Sequence, residues 1–297
     1  MRKFLPLALL LSIGIASCKK DKSPERFEDP STFSEIGSLD IGGVGAAEIS
    51  AFDPLTNKLF VVKNEEGVNK IEVIDFKNPS VMASIGSIDI TNLGAVNSVA
   101  VHDGKLAAAI EAKDKQANGK VVVFKTGDYS KIAEVTVGAL PDMIVFSPDG
   151  KHILTANEGE PNADYTNDPS GTVSIISVNN NYTVTTIDFS SMAGQQDALT
   201  QKGFRIFGLN STFVKDIEPE YTTISADSKT AWVTLQENNG IAKVDINSKA
   251  ITNIFPLGFK DYSLDGNFID PSDKEVGYKA AKWNVKGVYM PDAIAVL

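Results

Sequence analysis

The chain has 297 residues, 42% of them hydrophobic and 22% charged, an ordinary globular composition that supports a large core and excludes wholesale disorder. Acidic residues outnumber basic ones by 38 to 28, and the net charge of -10 argues against nucleic acid as a partner, because gripping phosphates needs a basic surface. A single cysteine, Cys18, excludes a disulfide within the chain, and two histidines argue against a zinc centre built on several of them.

At the amino terminus, Arg2 and Lys3 precede an apolar run from Phe4 to Ile15, too short to span a bilayer and built like a secretory signal. Ile15-Ala16-Ser17-Cys18 then resembles the lipobox of bacterial lipoproteins: an apolar residue, two small ones and a cysteine that becomes the lipidated amino terminus. The reading is a signal peptide over residues 1–17, followed over 18–34 by a lipidated Cys18 and a polar tether in which Pro24 and Pro30 discourage regular structure. A membrane is the partner this implies, reached through acyl chains on Cys18, and the expected location is the bacterial outer membrane or cell surface. The bland alternative is a chance cysteine in an ordinary signal peptide.

From residue 35 onward one pattern recurs. An acidic or amide residue stands just ahead of an apolar strand end and a turn, at Glu48, Asn97, Asp142 and Glu220, and a fifth copy starts at Asp292. Successive spacings are 49, 45, 78 and 72 residues. The first two suit a propeller blade of about 40–50 residues in four antiparallel strands, and the last two imply a blade plus an insertion. Strands are predicted at Lys58–Val62 and Lys70–Phe76, at Lys105–Ile110 and Lys120–Lys125, at Met143–Phe146, Ile153–Ala156 and Thr172–Val178, and at Thr230–Leu235 and Gly240–Asp245. Ser147-Pro148-Asp149-Gly150 is a turn in which proline sets φ and glycine relieves a strained position. In the insertion from Ser190 to Asp216, Gly194–Lys202 reads as a short helix ended by Gly203, and Phe204–Phe207 as an apolar clamp covering one rim of the ring. Trp232 and Trp283 are expected in strand and insertion cores. The fold class is therefore all-β: a β-propeller of about four blades plus the first strand of a fifth. That number is too few to close a ring of the usual six or seven, so the chain is expected to be truncated at Leu297.

Several ordered segments carry a resemblance to a known family. Leu140-Pro141-Asp142-Met143 with Phe146-Ser147-Pro148-Asp149-Gly150-Lys151, Thr155-Ala156-Asn157-Glu158-Gly159-Glu160-Pro161, Arg205-Ile206-Phe207-Gly208, Asp216-Ile217-Glu218-Pro219-Glu220-Tyr221 and Tyr289-Met290-Pro291-Asp292 look like the choice-of-anchor I domain. That family, also labelled mesenchyme-specific cell surface glycoprotein-like, belongs with YVTN- and WD40-like propellers. The resemblance covers residues 35–297. It implies an exported propeller held at the cell surface, and little chemistry.

The repeat itself supplies geometry. If the first strand of each blade is innermost, Glu48, Asn97, Asp142, Glu220 and Asp292 ring one mouth of the axial channel. Second strands run back and end on the same face at Asn64, Glu65, Glu111, Asn157, Glu158, Gln236 and Glu237. So many carboxylates and amides point to a hard cation such as calcium, and propeller lactonases are similar in placing an axial ion among such residues. The reading preferred over an ion is that they cap strand ends and bond to neighbouring turns, a frequent use of Asp and Asn. The acidic stretches 158–168 and 261–273 lack the spacing of an EF-hand and read as solvated or ion-stabilised loops. His102 and His152 fall on the face opposite the acidic mouth, and no nucleophile elbow or phosphate-cradling loop occurs. The leading expectation is a non-catalytic binding or scaffold module for a surface protein or glycan. The alternatives are a calcium-dependent hydrolase of lactonase or phosphoesterase type, and a sensor joined to an enzyme beyond Leu297.

Overall fold

A computed structural model describes residues 30–43, 46–65 and 67–297. The residues read as a signal peptide, Cys18 and most of the stretch read as a tether lie outside the described residues. The chain divides into two units, one ending at Ile36 and the other running from Gly37 to Leu297. In the first, Pro30–Thr32 make one turn of 3-10 helix.

The second unit carries four antiparallel sheets of four strands, each with its strands in sequence order. Blade one is β1 (Ala46–Asp53), β2 (Lys58–Glu65), β3 (Val68–Asp75) and β4 (Ala83–Asp89); blade two is β5 (Val96–His102), β6 (Lys105–Ile110), β7 (Asn118–Lys125) and β8 (Lys131–Ala139). Blade three is β9 (Pro141–Phe146), β10 (His152–Asn157), β11 (Thr172–Ser177) and β12 (Thr183–Ile187); blade four is β13 (Pro219–Ile224), β14 (Thr230–Leu235), β15 (Gly240–Asp245) and β16 (Ala250–Pro256). The first strands β1, β5, β9 and β13 neighbour one another in that order, as the inner strands of a propeller do. A small ribbon, β17 (Lys260–Asp261) with β18 (Lys286–Gly287), follows blade four.

Burial explains the composition of these strands. In the two middle blades the second strands are covered on both faces by adjacent blades and read as near-unbroken apolar runs, as does the centre of the third strand Asn118–Lys125. Alternate residues of one strand then serve different seams. In β6, Leu106, Ala108 and Ile110 pack with Phe60, Val62, Ile71 and Val73 of blade one, whereas Ala107 and Ala109 pack with Ile144, Phe146, Ile153 and Ile176 of blade three. Outer strands such as β4 are mostly exposed and tolerate charge.

The turn chemistry repeats as well. In Ser147–Gly150 the Gly150 amide donates to the Ser147 carbonyl at 2.8 Å, and the Asp149 carboxylate accepts from the Ser147 hydroxyl and the Lys151 amide. Gly150 has φ +67°, which glycine adopts without strain. Ser225–Ser228 reproduces the same three bonds with Asp227 and Lys229.

The long insertion forms a 3-10 turn over Ser190–Gln195 and α1 over Gln196–Thr200. Gly203, at φ +100°, reverses the chain after it. Phe189, Met192, Leu199, Phe204 and Phe213 enter the core between blades three and four, with Phe204 and Phe213 rings 5.9 Å apart. The insertion thus fills a seam. Trp232 packs against Phe255 at 5.8 Å, but Trp283 is 46% exposed, a correction to its expected core position; its loop has no sheet packed over it. From Asp292 onward the chain makes no sheet pairing among the described residues, and the Thr234 hydroxyl donates to the Asp292 carbonyl at 3.0 Å.

Candidate functional site

Glu48, Asn97, Asp142, Glu220 and Asp292 line one cavity of about 340 Å³, together with Asn64, Ser98 and Tyr221. A wider groove of about 450 Å³ beside β12 and β16 has only Asp188 and Lys249 as ionisable lining residues and gathers no comparable set.

A backbone irregularity aims the ring residues. In β9, Met143 faces Ala156 and Pro141 faces Asn157, so Asp142 is an extra residue bulged out of the ladder. Asn97 occupies the same place between Val96 and Ser98, and Glu220 lies within the shift between Pro219 and Thr222. Glu48 lies in a longer irregularity between Ala46 and Ser50. Such a bulge re-aims a side chain while the rest of the strand stays in register.

Three carboxylates converge where blades three and four meet. Asp142, Glu158 and Glu220 each offer an oxygen, and these oxygens all lie within 4.8 Å of one another. Burial, reinforced by Glu48, Glu111, Glu160 and Asp292, pushes the Asp142 carboxyl up to about 6. Burial and the charges of Asp142, Glu220 and Glu160 drive Glu158 strongly upward, and it is hydrogen-bonded to Glu220. Glu220 is raised by burial and by Asp142, with the bond from Glu158 opposing the shift.

Glu218, two residues before Glu220 in the chain, is 8% exposed. Burial, then Glu237, Glu160, Asp216 and Asp168, push its carboxyl to about 8. Glu237 is raised by burial and by Glu160, against the pull of its own amide and of Arg205, and its Oε2 is buried without a hydrogen-bond partner. The Arg205 guanidinium donates to the Glu237 carbonyl oxygen at 3.0 Å. Glu160 and Glu218 were not among the site residues expected from sequence.

The remaining ring and face residues divide by what holds them. Asn64 bonds both ways with Val96, accepting from its amide at 3.2 Å and donating to its carbonyl at 2.7 Å, and Asn97 donates to the Pro141 carbonyl at 3.3 Å. Asn157 is fully buried, accepting from Thr155 and donating to Thr172 and Ser174. Glu65 pairs with Lys63 at 3.2 Å and Glu111 with Lys115 at 3.8 Å. These groups tie strand ends together. Glu158 and Glu237 turn instead toward the acidic centre, and Gln236 is half-buried beside it in sequence. His102 bonds to the Pro148 carbonyl and His152 follows the Ser147–Gly150 turn, both at the strand ends away from the cavity. In the 158–168 loop, Asp164 accepts from the Thr166 amide and hydroxyl, so part of its charge serves the loop itself.

The arrangement can neutralise a cation or a cationic group, or hold a proton at a raised pKa; no histidine lines the cavity to complete a nucleophile and base pair.

Comparison with known proteins adds a family. Residues 48–297 match the family described as the choice-of-anchor I domain. No curated protein matches the chain. Solved structures similar to it include Kuenenia stuttgartiensis hydrazine synthase, at 13% identity over 70% of this chain and 74% of that one with a TM-score of 0.36. The WD40 domain of Toxoplasma gondii coronin is similar at 13% identity over 69% of this chain and 44% of that one, with a TM-score of 0.45.

Proposed function

The chain belongs to the choice-of-anchor I domain family, and on that premise we propose that it is a lipid-anchored, non-catalytic module whose acidic mouth binds a surface protein or glycan. Membership makes it a surface-associated β-propeller module. The finer reading rests on one observation: five polar residues from separate repeats converge on a single cavity, with no nucleophile and base pair beside them. The lipobox-like run ending at Cys18 supports the anchor, with residues 18–34 as the tether. The acidic surface speaks against nucleic acid.

Two measurements test this. Cys18→Ser should move the protein from the membrane to the soluble fraction, and continued membrane association would sink the lipid anchor. Arrays of surface proteins and glycans, probed with the full chain and with an Asp142→Asn/Glu220→Gln variant, should show binding that the variant loses. Equal binding by the variant would place the ligand site elsewhere.

A second reading, a calcium-dependent hydrolase of lactones or phosphoesters, is favoured by the convergence of Asp142, Glu158 and Glu220. In it one raised carboxyl acts as general base beside an ion. It requires calcium-dependent turnover of a lactone or phosphoester that Asp142→Asn/Glu220→Gln abolishes; absence of turnover in the wild type rejects it.

A further inference from the structure

We propose that residues 37–43 are a strap on blade one that fixes the exit of the tether at the end of the propeller away from the acidic mouth, so that a membrane held through Cys18 lies at that end and the mouth faces away from it. The orientation rests on the lipid-anchor reading of Cys18, whereas the strap rests on its own contacts.

Those contacts run the height of blade one. Strand β2 ends at the mouth, where Asn64 lines the cavity, and β3 runs back, so the connection from β3 to β4 that carries Pro79 and Ser80 lies at the far end. Gly37 packs so closely on Pro79 and Ser80 that no side chain fits there. Toward the mouth, the Ile41 carbonyl accepts from the Lys63 ammonium, and the Gly43 amide donates to the Glu65 carboxylate at 3.4 Å. Phe60 and Val62 pack toward blade two, so Lys63 and Glu65 project from the opposite face by the alternation of a strand. Seven residues at about 3.3 Å each cover about 20 Å, close to the length of β2. Along this path Leu39 and Ile41 are half-buried, while Asp40 is exposed.

The sequence supports the same course independently. Ile36-Gly37-Ser38-Leu39-Asp40-Ile41 repeats Ile85-Gly86-Ser87-Ile88-Asp89-Ile90 with one change, at the 49-residue offset that separates Glu48 from Asn97. Most of the copied segment belongs to β4, which runs from the far end to the mouth before the chain enters β5. Its turn is reproduced as well: the Gly42 amide donates to Asp40 Oδ1 at 3.0 Å, as the Thr91 amide does to Asp89 Oδ1 at 2.9 Å. The strap therefore approaches β1 in the way β4 approaches β5, and the chain ahead of Gly37 departs at the far end.

From Cys18 to Ile36 there are 19 residues, and a tether of that length spans about 25 Å root-mean-square. Bringing the mouth to the bilayer would use that whole span in climbing back along the blade, whereas the far end reaches the bilayer directly. What the mouth binds then comes from the surrounding medium or from a facing surface, and not from the headgroups of the protein's own membrane.

The test is energy transfer from a donor dye to acceptor-labelled lipid, with the lipidated full chain reconstituted in phosphatidylcholine vesicles. Ala117→Cys and Lys125→Cys, both at exposed positions, place the dye at the mouth end and the far end of β7, and the Cys18 thiol is taken up by its lipid. The ends of β7 are about 25 Å apart, so transfer from Lys125→Cys should exceed that from Ala117→Cys at least about twofold. Lys63→Ala/Glu65→Ala, checked for folding by circular dichroism, should lose this difference because the strap is no longer held. Equal transfer from the two positions, or more from Ala117→Cys, would overturn the orientation while leaving the anchor in place. A difference that survives in the folded Lys63→Ala/Glu65→Ala protein would overturn the strap. Protein that stays off the vesicles, with no transfer from either position, would overturn the anchor reading and the orientation with it.

Discussion

Glu158, just past the second strand of blade three, and Glu220, in the first strand of blade four, bring carboxylate oxygens within 4.8 Å of each other, and burial together with neighbouring carboxylates, Glu220 among them, raises the Glu158 carboxyl. A proton on one of two carboxylates this close relieves their repulsion across the boundary between the blades. An amide in place of Glu158 removes that repulsion permanently. Glu158→Gln is therefore expected to raise the Tm at pH 8 in calcium-free buffer by roughly 2–4 °C, equivalent to about 1 kcal/mol. An unchanged or lowered Tm would mean that this repulsion costs no stability.

The wild type should lose stability as pH rises. Glu218 titrates at about 8 in the fold against an ordinary 4.5, and Asp142 at about 6 against 3.8. A raised carboxyl binds its proton more tightly in the folded state, so its contribution is complete below the unfolded value and disappears as pH passes the folded one. Calcium-free melts between pH 5 and pH 8 should show Tm falling by roughly 5 °C or more, and Glu218→Gln should flatten the slope. Glu134, held near 2 by Lys120 and Lys131, acts below this window. A Tm independent of pH from 5 to 8 would contradict the prediction.

Asn238 is fully buried, and its side chain accepts from the Glu218 amide and donates to the Arg205 carbonyl and to the carbonyl and carboxylate of Asp216. Truncation leaves several buried partners unmet. Asn238→Ala should cost about 2–4 kcal/mol in urea unfolding. A cost under about 1 kcal/mol would show that water replaces the amide.

Phe204 lies 3% exposed against Phe213 in the seam of blades three and four. Phe204→Ala should destabilise by about 3–5 kcal/mol, as large apolar truncations in a closed core do. If the insertion were only a surface cover, urea unfolding would register a small change.

How much of this was legible can be argued from particular residues. The strands Lys105–Ile110, Thr230–Leu235 and Gly240–Asp245 match the expected bounds: burial on both faces makes the first an unbroken apolar run, the third alternates buried and half-buried residues, and turn residues punctuate all three. The repeat also revealed which acids belong at the first strands. It could not reveal that Asn157 and Asn64 are engaged internally, since an amide that caps and one that binds look alike in sequence. Nor did spacing show how near Glu158 comes to Glu220, because that approach crosses between blades three and four. The exposed Trp283 was misplaced for a related reason: an aromatic residue signals a core only where another element covers it.

The bulges at Asn97, Asp142 and Glu220 confine their distortion to the residue that faces the axis, and the ladder beyond each keeps its phase whatever side chain stands there. Exchanging one of these residues therefore leaves the apolar seams undisturbed. A lineage could retune what its channel accepts one blade at a time while inheriting the scaffold unaltered, so divergence among relatives is expected to concentrate at these single positions rather than along the strands.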